Sequence, residues 1–105
     1  MRHKFHAKPD NRDGFRFDSQ AEARYYDQLK LRQKAGEVLF FLRQVPFHLP
    51  GNIKYVADYL VFFTDGACEV CDVKGAQVGS AWQMFQTKKK LVEQHYPVEI
   101  RVVKA

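Results

Sequence analysis

The spacing of apolar and polar residues predicts two helices. Apolar positions recur at helical intervals from Ser19, which suits an N-cap, to Ala35, and Gly36 supplies the stop. A second helical pattern covers 81–96 and ends before Pro97, which cannot continue a helix. Both segments are long enough to place one face against a sheet.

Between and after the helices, the pattern predicts four strands. Their ranges are Val38–Leu49, Ile53–Phe63, Cys68–Lys74 and Val98–Val103. Pro46 interrupts the first strand, which indicates an edge strand or a bend. The order is therefore helix, three strands, helix, strand, which is typical of an α/β fold around one mixed sheet.

The 105 residues suit one domain of residues 17–105, preceded by a basic arm or irregular lead-in over 1–16. The longest apolar runs fall far short of the roughly 20 residues of a membrane span, so we expect no membrane segment and a cytoplasmic location. Two cysteines do not suggest a disulfide scaffold. We expect them to be small packing residues.

Positive charge is concentrated at the two ends of the chain. Residues 1–17 carry five Lys or Arg against two Asp, and residues 74–105 carry six against two Glu, whereas the segment between them is slightly acidic. A basic frame around an acidic centre suits a protein that contacts nucleic-acid phosphates at its edges and holds cations in the middle. A merely soluble basic domain is the alternative.

A hairpin of the second and third strands would bring two carboxylates together. If residues 64–66 form a three-residue loop with Gly66 in the left-handed conformation, Asp58 stands opposite Asp72. Lys74 then points to the same face as Asp72, because it lies two residues further along the strand. A two-residue loop would shift the register by one and separate the acids.

Opposed like charges in a sheet need compensation, and a divalent metal would supply it. Carboxylate oxygens completed by water and phosphate favour Mg²⁺, with Mn²⁺ as a substitute. The alternative is that Asp58 and Asp72 are exposed strand residues paired with Lys74 or other cations. Because Asp is depleted in strands, the metal site is the preferred interpretation.

Two residues on the helices are further candidates. Glu22 shares a helical stripe with Tyr25, Tyr26 and Leu29, so its carboxylate needs a partner in the site, although it also completes a capping box with Ser19. Lys88 lies in the middle of the apolar face of the second helix, where it would contact a scissile phosphate or extend to solvent.

Three segments carry a family resemblance. In sequence order they are FDSQAEARYY (17–26), YVADY (55–59) and EVCDVKG (69–75). Together they resemble the PD-(D/E)XK nuclease superfamily, and more narrowly its small phage and prophage proteins, over residues 15–103. Ala57 stands where the motif has Pro. The second helix lacks a clear Q-x-x-x-Y pattern, so Gln83, Gln86 and Lys88 are weaker candidates.

The resemblance implies a restriction-endonuclease-like core and a Mg²⁺-dependent DNA endonuclease. Asp58 would match the first motif acid, Asp72 and Lys74 the (D/E)XK pair, and Glu22 the helical acid of resolvase-like branches. The three acids and the Val73 carbonyl would bind metal, and Lys74 would orient the attacking water. The implied substrate is branched DNA such as a Holliday junction, in phage recombination or processing, cut by a homodimer.

Other interpretations remain open. Cys68 and Cys71, with His3 and His6, give a four-ligand zinc set, but residues three apart on a strand point to opposite faces. A nonenzymatic nucleic-acid-binding module would use the basic arm and the lysine run 88–90. A catalytically idle nuclease fold would serve as an accessory in a phage complex.

Overall fold

The computed structural model describes residues 8–105, which form a mixed α/β structure of two helices and two sheets. The elements in chain order are β1 Asp10–Arg12, β2 Phe15–Phe17, α1 Gln20–Lys34, β3 Val38–Leu49, β4 Ile53–Phe63, β5 Cys68–Lys74, α2 Gly79–His95 and β6 Ile100–Lys104. Neither helix of this part of the chain has the length and hydrophobicity of a membrane span.

The main sheet has the strand order β3-β4-β5-β6 and mixed pairing. β3 with β4 and β4 with β5 are antiparallel, whereas β5 with β6 is parallel, with α2 as the crossover between them. The predicted mixed sheet is therefore confirmed. The three predicted strands before α2 have the bounds expected from the sequence; α2 begins two residues earlier than expected, and β6 begins two residues later.

The irregular lead-in predicted over 1–16 instead forms a hairpin from Asp10 onward, which continues to Phe17, and residues 1–7 lie outside the described part of the chain. β1 and β2 form a hairpin whose turn holds Asp13 and Gly14 at positive φ, 52° and 82°. Asp13 Oδ2 accepts a 2.7 Å hydrogen bond from the Tyr26 hydroxyl, and Arg12 donates to Asp27. These contacts fix the hairpin on α1.

Each helix covers one face of the main sheet. Consecutive strand residues point to opposite faces, and Val70 belongs to the α2 cluster while Cys71 belongs to the α1 cluster. The buried members of the α1 cluster are Phe17, Ala23, Tyr25, Tyr26, Leu29, Val38, Tyr59, Val61 and Cys71. Those of the α2 cluster are Leu49, Tyr55, Ala57, Val70, Phe85, Val92 and Ile100.

The long β3–β4 hairpin changes from one cluster to the other partway along its length. Tyr59 and Val61 pack with α1, yet Ala57, two residues before Tyr59 and so expected on the same face, packs with α2. The change occurs at Asp58 and at Gln44, whose φ of +52° is uncommon for a residue with a side chain. One hairpin thereby supplies both cores.

Candidate active site

The main sheet forks beside the predicted acids. The last backbone pair between β4 and β5 is Tyr59 with Cys71. Beyond it, β4 continues beside β3 alone, while β5 continues beside β6 from Asp72 to Lys74. The register is the predicted one and depends on Gly66, which has a φ of +93° in the loop. Asp58 and Asp72 therefore lie where the two strands separate.

The two acids close the fork with their side chains. The Asp58 N–H donates to Asp72 Oδ1 at 2.9 Å, and the Val73 N–H donates to Asp58 Oδ2 at 2.8 Å. Each carboxylate thus replaces a main-chain acceptor that the diverging strands no longer provide. The arrangement fixes both carboxylates relative to the backbone, so their oxygens are held in place.

Asp72 is almost completely buried, at 2% exposure. Burial raises the pKa of its carboxyl group, while the hydrogen bond from Asp58 and the charge of Lys74 act in the opposite direction. Its Oδ2 atom is buried and receives no hydrogen bond from any residue between 8 and 105. A buried oxygen without a donor is costly, and a cation or a water molecule would satisfy it.

Lys74 lies on the α2 side of the fork. Its Nζ atom sits 4.4 Å from the centre of the Phe85 ring on α2. The charge of Lys74 also reaches Asp72, whose pKa it lowers. An aromatic face attracts a cation, so the Phe85 ring holds the ammonium group on this side of the fork.

Glu22 is buried on α1, at 8% exposure, but its carboxylate turns toward β3. Its Oε2 atom lies 3.7 Å from Arg43 Nη2 and 3.3 Å from Gln44 Nε2. The main-chain oxygen of Glu22 accepts a hydrogen bond from the Tyr59 hydroxyl at 2.9 Å. Burial raises the pKa of that hydroxyl, and the charges of Glu22 and Asp58 raise it further. Tyr59 therefore lies between the helical acid and the fork.

The capping role of Ser19 is confirmed in part. Its hydroxyl accepts a hydrogen bond from the Glu22 N–H at 3.1 Å, which is half of a capping box. The sequence did not identify Arg43 or Gln44 as partners of Glu22. The adjacent Arg-Gln pair in an otherwise apolar strand was the available signal, but nothing local showed which helix residue it would meet.

Lys88 is half-buried on α2, three residues after Phe85 and four before Val92. Among residues 8–105, no hydrogen bond or ion pair joins it to the acids or to Lys74. Met84, on the same helix, is 59% exposed, whereas Phe85 and Val92 are buried. The structure thus brings Asp58, Asp72, Val73 and Lys74 together at the fork. Glu22 is separated from them by Tyr59, and Lys88 lies on α2 without a bond to them in the described part of the chain.

The cysteines do not form a pair. Cys71 is buried and donates a weak 3.7 Å contact to the Tyr25 hydroxyl, whereas Cys68 is exposed. The packing prediction is therefore confirmed for Cys71 and wrong for Cys68. His3 and His6, the other members of the alternative zinc set, lie outside the described residues.

The donor set at the fork fits a hard divalent cation in part. Two aspartates supply carboxylate oxygens, and the buried Asp72 Oδ2 is an acceptor that a cation would satisfy. Within residues 8–105, however, no group of three or more His, Cys, Asp or Glu side chains is placed to hold a metal. A resident ion would need water or substrate oxygens, which is how Mg²⁺ is commonly bound.

The sequence matches a family of proteins of unknown function, DUF1064, over residues 2–105. Since the match covers nearly the whole chain, the protein belongs to that family. Comparison with curated proteins gives no match.

Proposed function

We propose that this protein is a metal-dependent DNA endonuclease that hydrolyses phosphodiester bonds at the fork between β4 and β5. The observation that carries the proposal is the pair Asp58 and Asp72, each fixed by a main-chain N–H from the opposite strand, with Asp72 Oδ2 buried and without a donor among residues 8–105. A cation bound beside that oxygen would satisfy it.

Asp58, Asp72 and the Val73 carbonyl would hold Mg²⁺ or Mn²⁺, with water and substrate oxygens as the remaining ligands. When bound, such an ion stabilises negative charge on phosphoryl oxygens and lowers the pKa of a water molecule. The burial of Asp72 leaves a carboxylate whose charge is poorly compensated by solvent, which favours cation binding.

Lys74 would act on the substrate and the attacking water. Its side chain leaves β5 on the face of Asp72, and the Phe85 ring supports its ammonium group. In this position the ammonium group would orient the water and stabilise charge that develops on the phosphate. Lys88 would add a contact to the scissile phosphate from α2.

Glu22 enters the proposal as a third acid that acts near the fork. Its carboxylate is held by Arg43 and Gln44, so the Arg43 guanidinium would reduce the negative potential that Glu22 places on the fork. The resemblance to PD-(D/E)XK nucleases supports a restriction-endonuclease-like core and a substrate of branched DNA, cut by a homodimer. The basic ends of the chain support a nucleic-acid partner.

The test is cleavage of labelled four-way junction, flap, linear duplex and single-stranded DNA with Mg²⁺, Mn²⁺ or EDTA. We expect metal-dependent cleavage by the wild type and its loss in Asp72→Asn and Lys74→Ala, with DNA binding retained in Asp72→Asn. Asp65→Asn is the matched control, because Asp65 also accepts a main-chain N–H but lies in the loop. Lys90→Ala, at an exposed position of α2, is the control for Lys74.

Binding without metal-dependent cleavage of any substrate by the wild type would overturn the nuclease proposal and favour the nonenzymatic binding module. Cleavage that survives Asp72→Asn would assign the activity to another site. The preferred substrate distinguishes a junction enzyme from a general endonuclease, and the oligomeric state in solution tests the homodimer.

A further inference from the structure

A cavity of about 490 Å³ lies next to the fork, between the first turns of α1 and α2. Val73 and Lys74 form the wall nearest the acids, and the Val73 N–H is the one that Asp58 accepts. Ser19 and Gln20 line the α1 side. A volume of this size falls in the range of small-ligand sites, which begins at about 300 Å³.

The cavity combines an aromatic wall with unpaired positive charge. Trp82 and Phe85 line it, with ring centres 5.2 Å apart and planes inclined by 32°. Lys8, Arg24 and Lys74 also line it, and none of them takes part in an ion pair among residues 8–105. Among the described residues, no Asp or Glu side chain is part of the lining.

We infer that this cavity binds one unpaired nucleotide of a DNA strand, with its base against Trp82 and its phosphate among the three cations. Aromatic faces bind bases of any sequence by stacking, and lysine and arginine contact the backbone. The inference rests on the proposed nuclease function and names its substrate class. The DNA strand to be cut must therefore be single-stranded or unpaired where it passes the fork between β4 and β5.

The cavity discriminates between DNA forms because a base inside a duplex is stacked on both sides and paired. To reach Trp82 it would have to leave the helix, at a cost that an already unpaired base does not have. A flap, a junction centre or a single strand therefore binds better than continuous duplex. The neighbouring Val73 and Lys74 bring the phosphate of the bound nucleotide close to the acid pair.

Trp82 is the only tryptophan of the chain, so its fluorescence reports directly on the cavity. The full chain is titrated in EDTA with an oligothymidylate of about ten nucleotides, with a blunt duplex and with thymidine monophosphate. We expect the oligothymidylate to quench Trp82 at a lower concentration than the duplex does. The mononucleotide should quench only weakly, because it lacks the flanking phosphates.

Two variants test the lining by anisotropy of a labelled oligothymidylate. Trp82→Leu should weaken binding about fivefold or more through loss of stacking. Arg24→Gln, at an exposed position that no core depends on, should weaken binding and reduce the salt dependence by about one phosphate contact. Lys90→Gln, which removes an exposed cation outside the cavity, should change the affinity and the salt dependence less than Arg24→Gln does.

Equal quenching by duplex and single strand, or an unchanged Kd in both Trp82→Leu and Arg24→Gln, overturns the inference. Strong quenching by thymidine monophosphate would assign the cavity to free mononucleotides and also overturn it. Metal-dependent cleavage without the preference for single strands and without the changes in Kd would overturn the nucleotide site but leave the nuclease proposal standing. Quenching by single strands without cleavage removes the nuclease proposal and leaves the nucleotide site.

Discussion

Asp58 and Asp72 each accept a hydrogen bond from the main chain of the other's strand, at 2.8 and 2.9 Å. The two side chains therefore continue the pairing of β4 and β5 for one step after the backbones have separated. An amide in either position keeps an acceptor oxygen for that bond but loses the charge. Replacing either Asp by Asn therefore separates the hydrogen-bonding role of the side chain from the role of its charge.

Asp72→Asn should fold at least as stably as the wild type and should no longer respond to metal. The substitution removes a buried charge while its Oδ1 still accepts from Asp58, so the free energy of unfolding should rise by about 1 kcal/mol or stay unchanged. Thermal melts with EDTA or excess MgCl₂ measure both effects. Added Mg²⁺ should stabilise the wild type and Asp65→Asn, but not Asp72→Asn. A loss of more than about 2 kcal/mol in Asp72→Asn would contradict this account.

The stability of the wild type should fall relative to Asp72→Asn as the pH rises above about 4. Burial raises the pKa of Asp72 from its ordinary 3.8, so the folded protein holds this proton more tightly than the unfolded chain does. The favourable contribution is present below the unfolded pKa and is lost as the pH passes through the folded pKa. Urea denaturation of both proteins in metal-free buffer from acid to neutral pH measures the difference. A difference that stays constant, or grows in favour of the wild type, would show that Asp72 is not destabilised by burial.

Arg43→Met should destabilise the protein by about 2 kcal/mol, because it removes the guanidinium beside the buried Glu22 carboxylate. Adding Glu22→Gln should recover part of that loss, since the remaining charge is then gone. Urea denaturation of the wild type, the two single variants and the double variant gives the coupling energy.

Arg101→Met is the control for this cycle. Arg101 is half-exposed and lies 3.4 Å from Glu69, so its loss should cost less than about 1 kcal/mol. If Arg43→Met costs no more than Arg101→Met, the Glu22 charge is stabilised by other contacts.

The two cysteines should differ strongly in reactivity. Burial raises the pKa of the Cys71 thiol to about 11, and the thiolate is the reactive form. Ellman's reagent at pH 8 should therefore modify Cys68 quickly and Cys71 only after unfolding. Native Cys68→Ser should remain unmodified, whereas Cys71→Ser should react like the wild type. Rapid labelling of native Cys68→Ser would show that the α1 cluster opens readily.

The elements of the main sheet were predictable because their signals are local. Gly36 and Ser19 define the bounds of α1, and alternating apolar positions with a glycine turn define β4 and β5. The register followed from one further residue, Gly66, since the loop type determines which residues oppose each other. That register places Asp58 and Asp72 opposite each other, just beyond the last backbone pair.

The environment of Glu22 could not be predicted, because it depends on contacts between segments distant in the sequence. Arg43 and Gln44 reach Glu22 only after α1 has packed on the sheet, and the positive φ of Gln44 has no sequence signal. The β1–β2 hairpin was missed for a related reason. Its strands have three residues each and are stabilised by α1 side chains instead of by their own apolar pattern.

The passage of one hairpin through both hydrophobic clusters ties the two halves of the molecule into a single cooperative unit. β3 and β4 cannot separate near Tyr59 without loosening the pairing that supports Tyr55, because the same two strands continue from one cluster into the other. Partial unfolding of one helix would expose the β3–β4 hairpin, against which the other helix also packs. We therefore expect all-or-none unfolding, in which Trp82 fluorescence on the α2 face and exposure of the Cys71 thiol on the α1 face share one midpoint.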